Sequence, residues 1–357
     1  MHPLYSISVC GGLEKIAQNE IQRHLIGKGR FEVVDKDLAR VRLRYSGDPR
    51  ELLLLRSAEH VFLVIKTLPS MTRSRHSLTN LEKSIARIDF QPYFEICRRA
   101  GIRLRKRVTF RVTSRMSGLR NFRRIDLQRS VERVFRTYGW RLTEEKPALD
   151  IWVEVQQDEG HISIRLSPLE MAQRTYKQAH IPTSLRPTVA YGLVQLSDPQ
   201  PDDVFLDPMC GAGTILIERA HSERYRYLLG GDISPEALVA AQRNIGRKHR
   251  PRQLFDWNTQ SLPLARNSVD KIVCGLPFGK KTDGESDIAE LYWEFISECE
   301  RALKPTGRMV LLTTQRFVLD NLIKSQPAFI VERRFQIDLG AQNPWVYVCL
   351  PSLERAR

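Results

Sequence analysis

Paired cysteines and long apolar runs are both missing from this chain. Its six cysteines are dispersed, with no C-x-x-C pair and no neighbouring histidine cluster, so neither a zinc site nor a disulfide framework has support. No apolar run approaches the ~20 residues needed to cross a bilayer, and the N-terminus lacks the basic-then-apolar pattern of a secretory signal. We therefore expect a reduced, cytoplasmic protein without a metal or a membrane span.

Acidic residues are also scarce relative to basic ones. The chain has 41 Asp and Glu against 56 Lys and Arg, which gives a net charge of +15 and a pI near 9.8. Such a balance favours a polyanionic partner. Nucleic acid and an anionic membrane surface both satisfy this requirement, and charge alone does not separate them.

Residues 96–125 contain no acid at all and eleven Lys or Arg residues. Alternation over 107–113 predicts a half-buried strand with Val108, Phe110 and Val112 on one face. Gly118 interrupts the pattern, and Asp126 is expected to cap the helix that follows. A solvated basic face is one interpretation, but a stretch of this length without acids favours phosphate contacts. The residues expected to bind RNA here are Arg107, Arg111, Arg115, Arg120, Asn121, Arg123 and Arg124.

Short strand and helix patterns divide the chain into two parts. The first ~70 residues are expected to form an α+β unit, with strands at 4–10, 31–34 and 39–45 and a helix ending near 25. Two more strands, at 148–155 and 161–166, are expected after the basic stretch. After Pro182, strands alternate with helices, one of them capped by Ser234, and a hairpin ends the chain. The second part is therefore expected to be an α/β parallel sheet. Its strands are expected at 204–206, 227–230, 271–274 and 308–313, and its hairpin at 329–339 and 345–350.

The stretch VFLDPMCGAGTILIERA places an acid and two glycines where an apolar strand turns into a helix. Gly211 and Gly213 let the backbone approach a ligand, and Asp207 can accept hydrogen bonds from a ligand amine or a bound water. A dinucleotide fingerprint needs a third glycine where Leu216 stands, and no Lys-Ser/Thr pair makes a P-loop. These features predict a cofactor without phosphates.

Two further aspartates follow the next two strands. Asp232 ends YLLGGD, where an acid commonly binds both ribose hydroxyls of an adenosine ligand, and Asp256 follows RQLF with Trp257 beside it. Asp256 is expected to accept the adenine amino group while an apolar neighbour packs on the ring. Any one of these aspartates could instead cap a helix, but three at successive strand ends favour a ligand site.

The motifs DPMCGAGT, GGD, FDW and GLPFG, in this order, resemble motifs I to IV of class I methyltransferases acting on exocyclic amines. The segments TFRVTSRMSGLRNFRR, PALDIWV and ISIRLSPLEMAQRTYK resemble a THUMP module. Together they are most similar to the THUMP-containing tRNA guanine-N2 methyltransferases, over nearly the whole chain; related enzymes acting on ribosomal RNA share much of motif I.

This resemblance implies S-adenosylmethionine as cofactor, tRNA as partner and a Rossmann-like α/β sheet ending in an antiparallel hairpin. It implies a ferredoxin-like domain at 1–70, a THUMP domain at 71–168, a linker at 169–182 and the methyltransferase domain at 183–357. We expect a monomer. The segment 183–188 matches the one that crosses in front of the cofactor, although a plain helix N-terminus is the alternative. The expected cofactor-binding residues are Ser184, Arg186, Thr188, Asp207, Pro208, Cys210, Gly211, Gly213, Thr214, Asp232, Ile233, Asp256 and Trp257.

The resemblance places the methyl-transfer site at Gly275, Leu276, Pro277 and Phe278. In the family, an Asn or Asp side chain at the first position and a backbone carbonyl at the second accept the N–H groups of the target amine, and an aromatic residue stacks on the flipped base. Gly275 lacks that side chain. Backbone carbonyls could suffice, Asp283 could substitute, or the protein could be a weakened or inactive descendant.

Lys280 and Lys281, just beyond this motif, are expected to neutralise phosphates, with a solvated loop as the alternative. The leading hypothesis is therefore methylation of guanine N2 in tRNA. An RNA-binding or assembly factor that keeps the fold without the chemistry is the second hypothesis. Methylation of DNA or protein is the third, and the THUMP-like half argues against it.

Overall fold

A computed structural model of the chain describes residues 2–37, 39–68, 70–182, 184–278 and 285–352. It divides into two compact units, one made of residues 1–9 and 18–171, the other of residues 10–17 and 172–357. The further division of the first unit at residue 70, the linker at 169–182 and the THUMP assignment stay predictions.

The first unit is built on an eight-stranded, mostly antiparallel sheet. Its strands are β1 (Leu4–Ser8), β2 (Phe31–Asp37), β3 (Arg40–Tyr45), β4 (His60–Leu68), β5 (Thr109–Met116), β6 (Arg141–Leu142), β7 (Leu149–Gln156) and β8 (Glu159–Arg165). Their order is β2-β3-β1-β4-β8-β7-β5-β6, with β5 parallel to β6 and β7. Its helices are α1 (Glu14–Leu25), whose first four residues are grouped with the second unit, α2 (His76–Ile85), α3 (Gln91–Arg99) and α4 (Arg124–Thr137). The antiparallel pairing of β4 with β8 joins strands from both sides of residue 70 into one sheet.

Alternation in the basic stretch produces the strand that it predicts. Val108, Phe110 and Val112 are buried, and Thr109 and Arg111 between them are half-buried. The helix after Gly118 also forms, but Asp126 is not its cap. Asp126 lies inside the first turn of α4, where its Oδ2 accepts the backbone N–H of Arg123 at 2.8 Å. The acid satisfies an N-terminal donor from the third helical position rather than from the cap position, because the helix begins three residues earlier than expected.

The second unit contains the expected α/β sheet. Its strands are β9 (Val204–Asp207), β10 (Tyr227–Asp232), β11 (Arg252–Asp256), β12 (Val269–Gly275), β13 (Leu303–Thr313), β14 (Phe329–Gln336) and β15 (Trp345–Pro351). The order is β11-β10-β9-β12-β13-β15-β14, with the first five strands parallel and β15 antiparallel between β13 and β14. Its helices are α5 (Pro187–Leu196), α6 (Thr214–Ser222), α7 (Pro235–Ile245), α8 (Glu285–Ala302) and α9 (Arg316–Ser325). This is the doubly wound order, and β9 and β12 flank the point where the order of the strands reverses.

Two apolar cores pack against this sheet, and burial on both faces explains why its strands are continuous apolar runs rather than alternating ones. All six cysteines are free and buried, in agreement with the expectation that they form no disulfide framework. Ser234 caps α7 as expected, accepting the N–H of Ala237. None of the described helices is long and apolar enough to traverse a bilayer.

Arg219 on α6 is fully buried and links the segment before β9 to the residues that follow α6. Its guanidinium donates to the carbonyls of Gln200, Glu223 and Arg224 at 2.7–2.9 Å and lies 3.6 Å from the carboxylate of Asp203. Burial lowers the pKa of Arg219, and the pairing with Asp203 opposes that change. A buried cation of this kind is stable because acceptors surround its two terminal nitrogens.

Replacing Arg219 with Met should lower the free energy of unfolding by about 3–5 kcal/mol, because Asp203 and three carbonyls lose their donor inside the protein. The control is Arg243→Met on the exposed side of α7, which should change stability by less than about 0.5 kcal/mol. Urea denaturation of both variants measures the difference. Equal losses in the two variants would contradict the role of Arg219.

Candidate active site

A cavity of about 560 Å³ opens at the carboxyl ends of β9, β10 and β12. Ligands of doubly wound proteins bind at this edge of the sheet, at the point where strand order reverses. The size lies within the range of small-molecule sites. Its walls come from the β9–α6 turn, the end of β10, the residues after β11, the end of β12 and residues 181–185.

The β9–α6 turn needs its glycines. Gly211 and Gly213 have φ of +53° and +76°, a region that side chains disfavour. A Cβ at Gly213 would also lie 3.2 Å from Ala241 and Ile245 on α7. The turn presents the N–H of Gly211, which donates to Asp232 Oδ2 at 2.8 Å, so two of the sequence motifs are joined by one hydrogen bond.

Asp207 is the most unusual group in the cavity wall. Its side chain is 1% exposed, and neither carboxylate oxygen accepts a hydrogen bond of normal geometry from the described residues. Burial raises its pKa well above the ordinary value, the charge of Asp232 raises it further, and the Met209 amide offsets the rise only in part. A buried carboxylate without donors destabilises the protein unless a ligand supplies them.

Asp232 is differently placed, although it lines the same cavity. It is half-buried, and besides Gly211 it accepts the N–H of Ser234 through Oδ1 at 3.0 Å. Each carboxylate oxygen can accept a second hydrogen bond, so this side chain is held in place while keeping capacity for a ligand.

The GGD and FDW motifs meet through packing. A Cβ on Gly231 would lie 1.9 Å from the indole of Trp257, so only glycine fits there. The Trp257 ring is buried, its Nε1 donates to the carbonyl of Pro208 at 3.0 Å, and it stacks on Phe255 with ring centroids 4.9 Å apart. Trp257 is thereby fixed as a wall of the cavity.

The four residues expected to carry the transfer chemistry all line this cavity: Gly275, Leu276, Pro277 and Phe278. Gly275 is the last residue of β12, and a Cβ there would meet only Leu185, at 3.4 Å, which is ordinary contact. Glycine is therefore not required at this position by space or by backbone conformation.

Most of the expected cofactor-binding residues line the cavity, and four do not. Those that do are Ser184, Asp207, Pro208, Cys210, Gly211, Thr214, Asp232, Ile233 and Trp257. Of the others, Gly213 packs against Ala241 and Ile245 on α7, and Thr188 is buried in α5. Arg186 donates to the carbonyl of Asp338 at 3.2 Å and does not line the cavity. Asp256 is exposed at the end of the edge strand β11, outside the cavity lining. Thr183 and Asp283 lie outside the described residues.

The residues after Trp257 turn into the cavity instead of Asp256. Asn258, Thr259 and Gln260 all line it, and Thr259 is buried with no hydrogen-bond partner for its Oγ1 among the described residues. Strand-end position pointed to the acid, whereas the polar run N-T-Q directly after it was the signal that would have found these residues. Other lining residues not expected from sequence are Ile181, Pro182, Leu185, Met209, Ala212, Ile215, Ser234, Glu236, Ala237 and Leu291.

The expected RNA-binding arginines of the first unit fall into two groups. Arg107, Arg115, Arg123 and Arg124 are exposed, as is Asn121. Arg111 instead donates to Asp150 at 3.0 Å, a buried carboxylate that also pairs with Arg165 at 2.8 Å. The side chain of Arg120 is 2% exposed and donates to the carbonyl of Met71 at 2.6 Å, which corrects its assignment as an RNA contact.

Two arginines missed in the sequence extend the exposed group. Arg73 and Arg75 are exposed on the segment beside Asn121, whose N–H donates to the Arg73 carbonyl at 2.9 Å and whose carbonyl accepts from Arg75 Nε at 3.2 Å. The exposed residues lie on two segments, with Arg73 and Arg75 on one and Asn121, Arg123 and Arg124 on the other. We call these two segments together the basic loop pair. Lys280 and Lys281 lie outside the described residues. In the part of the chain that is described, no group of three His, Cys, Asp or Glu side chains could hold a metal ion.

Known proteins resemble this chain in both sequence and structure. Residues 174–342 match the family UPF0020, described as an RMKL-like methyltransferase domain. A tRNA (guanine(6)-N2)-methyltransferase of Thermus thermophilus is 27% identical over 345 residues, covering 94% of this chain and 96% of that protein. A U6 snRNA (guanine-N(2))-methyltransferase of Mus musculus is 32% identical over 216 residues, covering 58% of this chain.

The match covers only 39% of that mouse protein, so the chain spans well under half of its length. The solved structure of TrmN from Thermus thermophilus has a TM-score of 0.82 and 26% identity, covering 98% of this chain and 100% of that one. The Rossmann-like fold expected from the motifs is confirmed. Residues 174–342 thus match a methyltransferase domain of the UPF0020 family, and the chain is similar to guanine-N2 methyltransferases, in agreement with the resemblance of its motifs.

Proposed function

We propose that this protein transfers a methyl group from S-adenosylmethionine to the exocyclic N2 of a guanine in tRNA. The observation that carries the proposal is a single cavity lined both by the buried carboxylate of Asp207, which has no donor of normal geometry among the described residues, and by the loop of Gly275, Leu276, Pro277 and Phe278. A cationic ligand group and a planar acceptor base could be held there together. The similarity over nearly full length to a tRNA (guanine(6)-N2)-methyltransferase supports tRNA over other RNAs.

The residues present fit this cofactor. Asp207 would accept hydrogen bonds from its amino group, which relieves the buried carboxylate of its missing donors. Asp232, held by the N–H groups of Gly211 and Ser234, would accept from the two ribose hydroxyls. Asn258 and Thr259, which line the cavity where the exposed Asp256 does not, would recognise the adenine amino group. When bound, S-adenosylmethionine supplies an electrophilic methyl group on a sulfonium.

The loop at the end of β12 would orient the target amine. Phe278 is half-buried in the cavity wall and offers a ring face on which a flipped guanine can stack. The exocyclic nitrogen is a weak nucleophile because its lone pair is delocalised into the ring. A carbonyl accepting its N–H favours the pyramidal nitrogen that attacks, and it stabilises the positive charge that develops before the proton leaves.

The basic loop pair supports an RNA substrate. Its exposed guanidiniums lie on adjacent segments, and phosphate contacts of this kind supply most of the affinity of RNA-binding surfaces. A fold that binds cofactor and RNA without turnover is the second candidate function, and Gly275 is the observation that favours it.

The direct test measures transfer of a labelled methyl group from S-adenosylmethionine into tRNA isolated from a strain lacking this protein. Digestion of the product to nucleosides should give N2-methylguanosine. Label in adenosine or cytidine, or label only in ribosomal RNA, would contradict the proposal. Tight binding of both cofactor and tRNA without transfer would favour the second candidate.

Replacing Asp207 with Asn should weaken cofactor binding by roughly 10- to 100-fold, because a charge-assisted hydrogen bond is worth about 1.5–3 kcal/mol. The same variant should be more stable without cofactor at pH 7.5, with a melting temperature higher by about 2–4 °C for each kcal/mol of burial cost removed. Calorimetric titration and thermal melting measure the two effects.

The expected pH dependence follows from the raised pKa of Asp207. The folded protein binds this proton more tightly than the unfolded chain, so its stability should fall as pH rises from the ordinary pKa through the raised one. The Asn variant should lack that fall. A variant with lower stability at pH 7.5 would show that the carboxylate has a partner in solution.

Reversing charge in the basic loop pair, by Arg75→Glu together with Arg123→Glu, should weaken tRNA binding and reduce its salt dependence by about one unit of log–log slope for each lost phosphate contact. The control is Arg243→Glu together with Arg247→Glu, which makes the same charge change on exposed residues of the other unit. Filter binding between 50 and 200 mM salt, roughly the range where such contacts dominate, measures both. Equal weakening in both double variants would indicate general electrostatics and remove the assignment.

A further inference from the structure

The backbone carbonyls of Leu276, Pro277 and Phe278, in the loop after β12, differ in the hydrogen bonds that they accept. The Pro277 carbonyl accepts the hydroxyl of Tyr292 at 2.8 Å, and the Phe278 carbonyl accepts Nε2 of Gln315 at 3.1 Å. The Leu276 carbonyl, between them and the strand, accepts no hydrogen bond from any residue that the structure describes. Of the three carbonyls after β12, those of Leu276, Pro277 and Phe278, that of Leu276 is therefore the one without a hydrogen bond among the described residues, and Leu276 lines the cavity.

Tyr292, on α8, is fully buried and belongs to a chain of hydroxyls. Its Oη lies 2.8 Å from Thr313 Oγ1, which in turn accepts the N–H of Gln315 at 2.8 Å. A carbonyl can only accept, so the Tyr292 proton must point to Pro277. Thr313 must then donate to Tyr292, and the chain runs in one direction from Gln315 N–H through Thr313 and Tyr292 to Pro277.

This arrangement anchors the Leu276 carbonyl from both sides. On the strand side, the N–H of Leu276 donates to the carbonyl of Leu312 at 2.9 Å. On the other side, the Pro277 carbonyl is held by Tyr292, and the ring of Pro277 fixes the φ angle between them. Few degrees of freedom remain to move the peptide plane that carries the Leu276 oxygen.

We propose that Tyr292 is a positioning residue, which holds the loop so that the Leu276 carbonyl accepts the target amine without help from a side chain at position 275. The inference rests on the proposed function. The room at Gly275, where a Cβ would meet only Leu185, means that the missing acceptor is not excluded by packing. A rigidly held carbonyl takes over the part of the work that the family gives to a side chain.

The test is Tyr292→Phe, which keeps the buried ring and removes the donated hydrogen bond. The rate of a single turnover at saturating cofactor and tRNA should fall roughly 10- to 100-fold, because small misplacements of reacting groups have effects of this size. The dissociation constant of the cofactor should change by less than about threefold, since no cofactor contact is removed. Hydrogen exchange of the Leu276 amide should become at least about tenfold faster.

The matched control is Tyr45→Phe. Tyr45 is also fully buried and donates to a backbone carbonyl, that of Lys28, at 3.0 Å in the first unit. It should lose similar stability without the loss of single-turnover rate. Thr313→Val should act like Tyr292→Phe, and Thr313→Ser, which keeps the hydroxyl, should stay near wild type.

Gly275→Asn in the Tyr292→Phe background should recover at least about fivefold of the lost rate, by supplying an acceptor from the side chain. No recovery in a folded double variant would count against the inference. An unchanged single-turnover rate in Tyr292→Phe, or a loss of cofactor affinity as large as the loss of rate, would overturn it.

The exchange measurement separates this inference from the proposed function. If the wild-type protein transfers no methyl group to any RNA, the proposed function fails by itself. Faster exchange at Leu276 in Tyr292→Phe alone would then still support the anchoring, and unchanged exchange would overturn it.

Discussion

The second unit is organised around a buried carboxylate, Asp207, which accepts no hydrogen bond of normal geometry from the residues that the structure describes. Asp207 ends the central strand β9, and the glycine turn after it carries the amide that holds Asp232. Gly231 and Trp257 close the wall beside it. Among the described residues no donor of normal geometry reaches Asp207, so its charged form destabilises the unliganded fold, and either a proton or a ligand donor removes that cost.

Local patterns predicted most of this architecture. Three strand ends with aspartates, the Ser234 cap and the alternation around Phe110 all appear as expected, because each depends on spacing along one or two elements. The two helices at 76–85 and 91–99 had no such signal. They are short, and their packing on α4, through rings such as Phe90 and Phe135, depends on residues far along the chain.

The sequence did not predict which side chains pair across the sheet. The sequence does not distinguish the eleven basic residues at 96–125 from one another. In the structure, however, Arg120 donates to the carbonyl of Met71, and Arg111 pairs with Asp150, some forty residues away. Asp256 and Asn258 differ by two positions, and only the path of the chain after the edge strand decides which one enters the cavity. Strand register and turn geometry, which are tertiary properties, decide these cases.

The pairing of β4 with β8 has a consequence for how the chain is made. One edge of β4 has no partner until residues 159–165 have left the ribosome, about 90 residues after β4 itself. At about 5–20 residues per second, a strand rich in apolar side chains stays open for roughly 5–20 seconds in each round of synthesis. An unpaired strand edge is a template for association with other chains. Slow translation of residues 70–160 should therefore favour aggregation of nascent chains, even though the finished sheet has β4 in its interior.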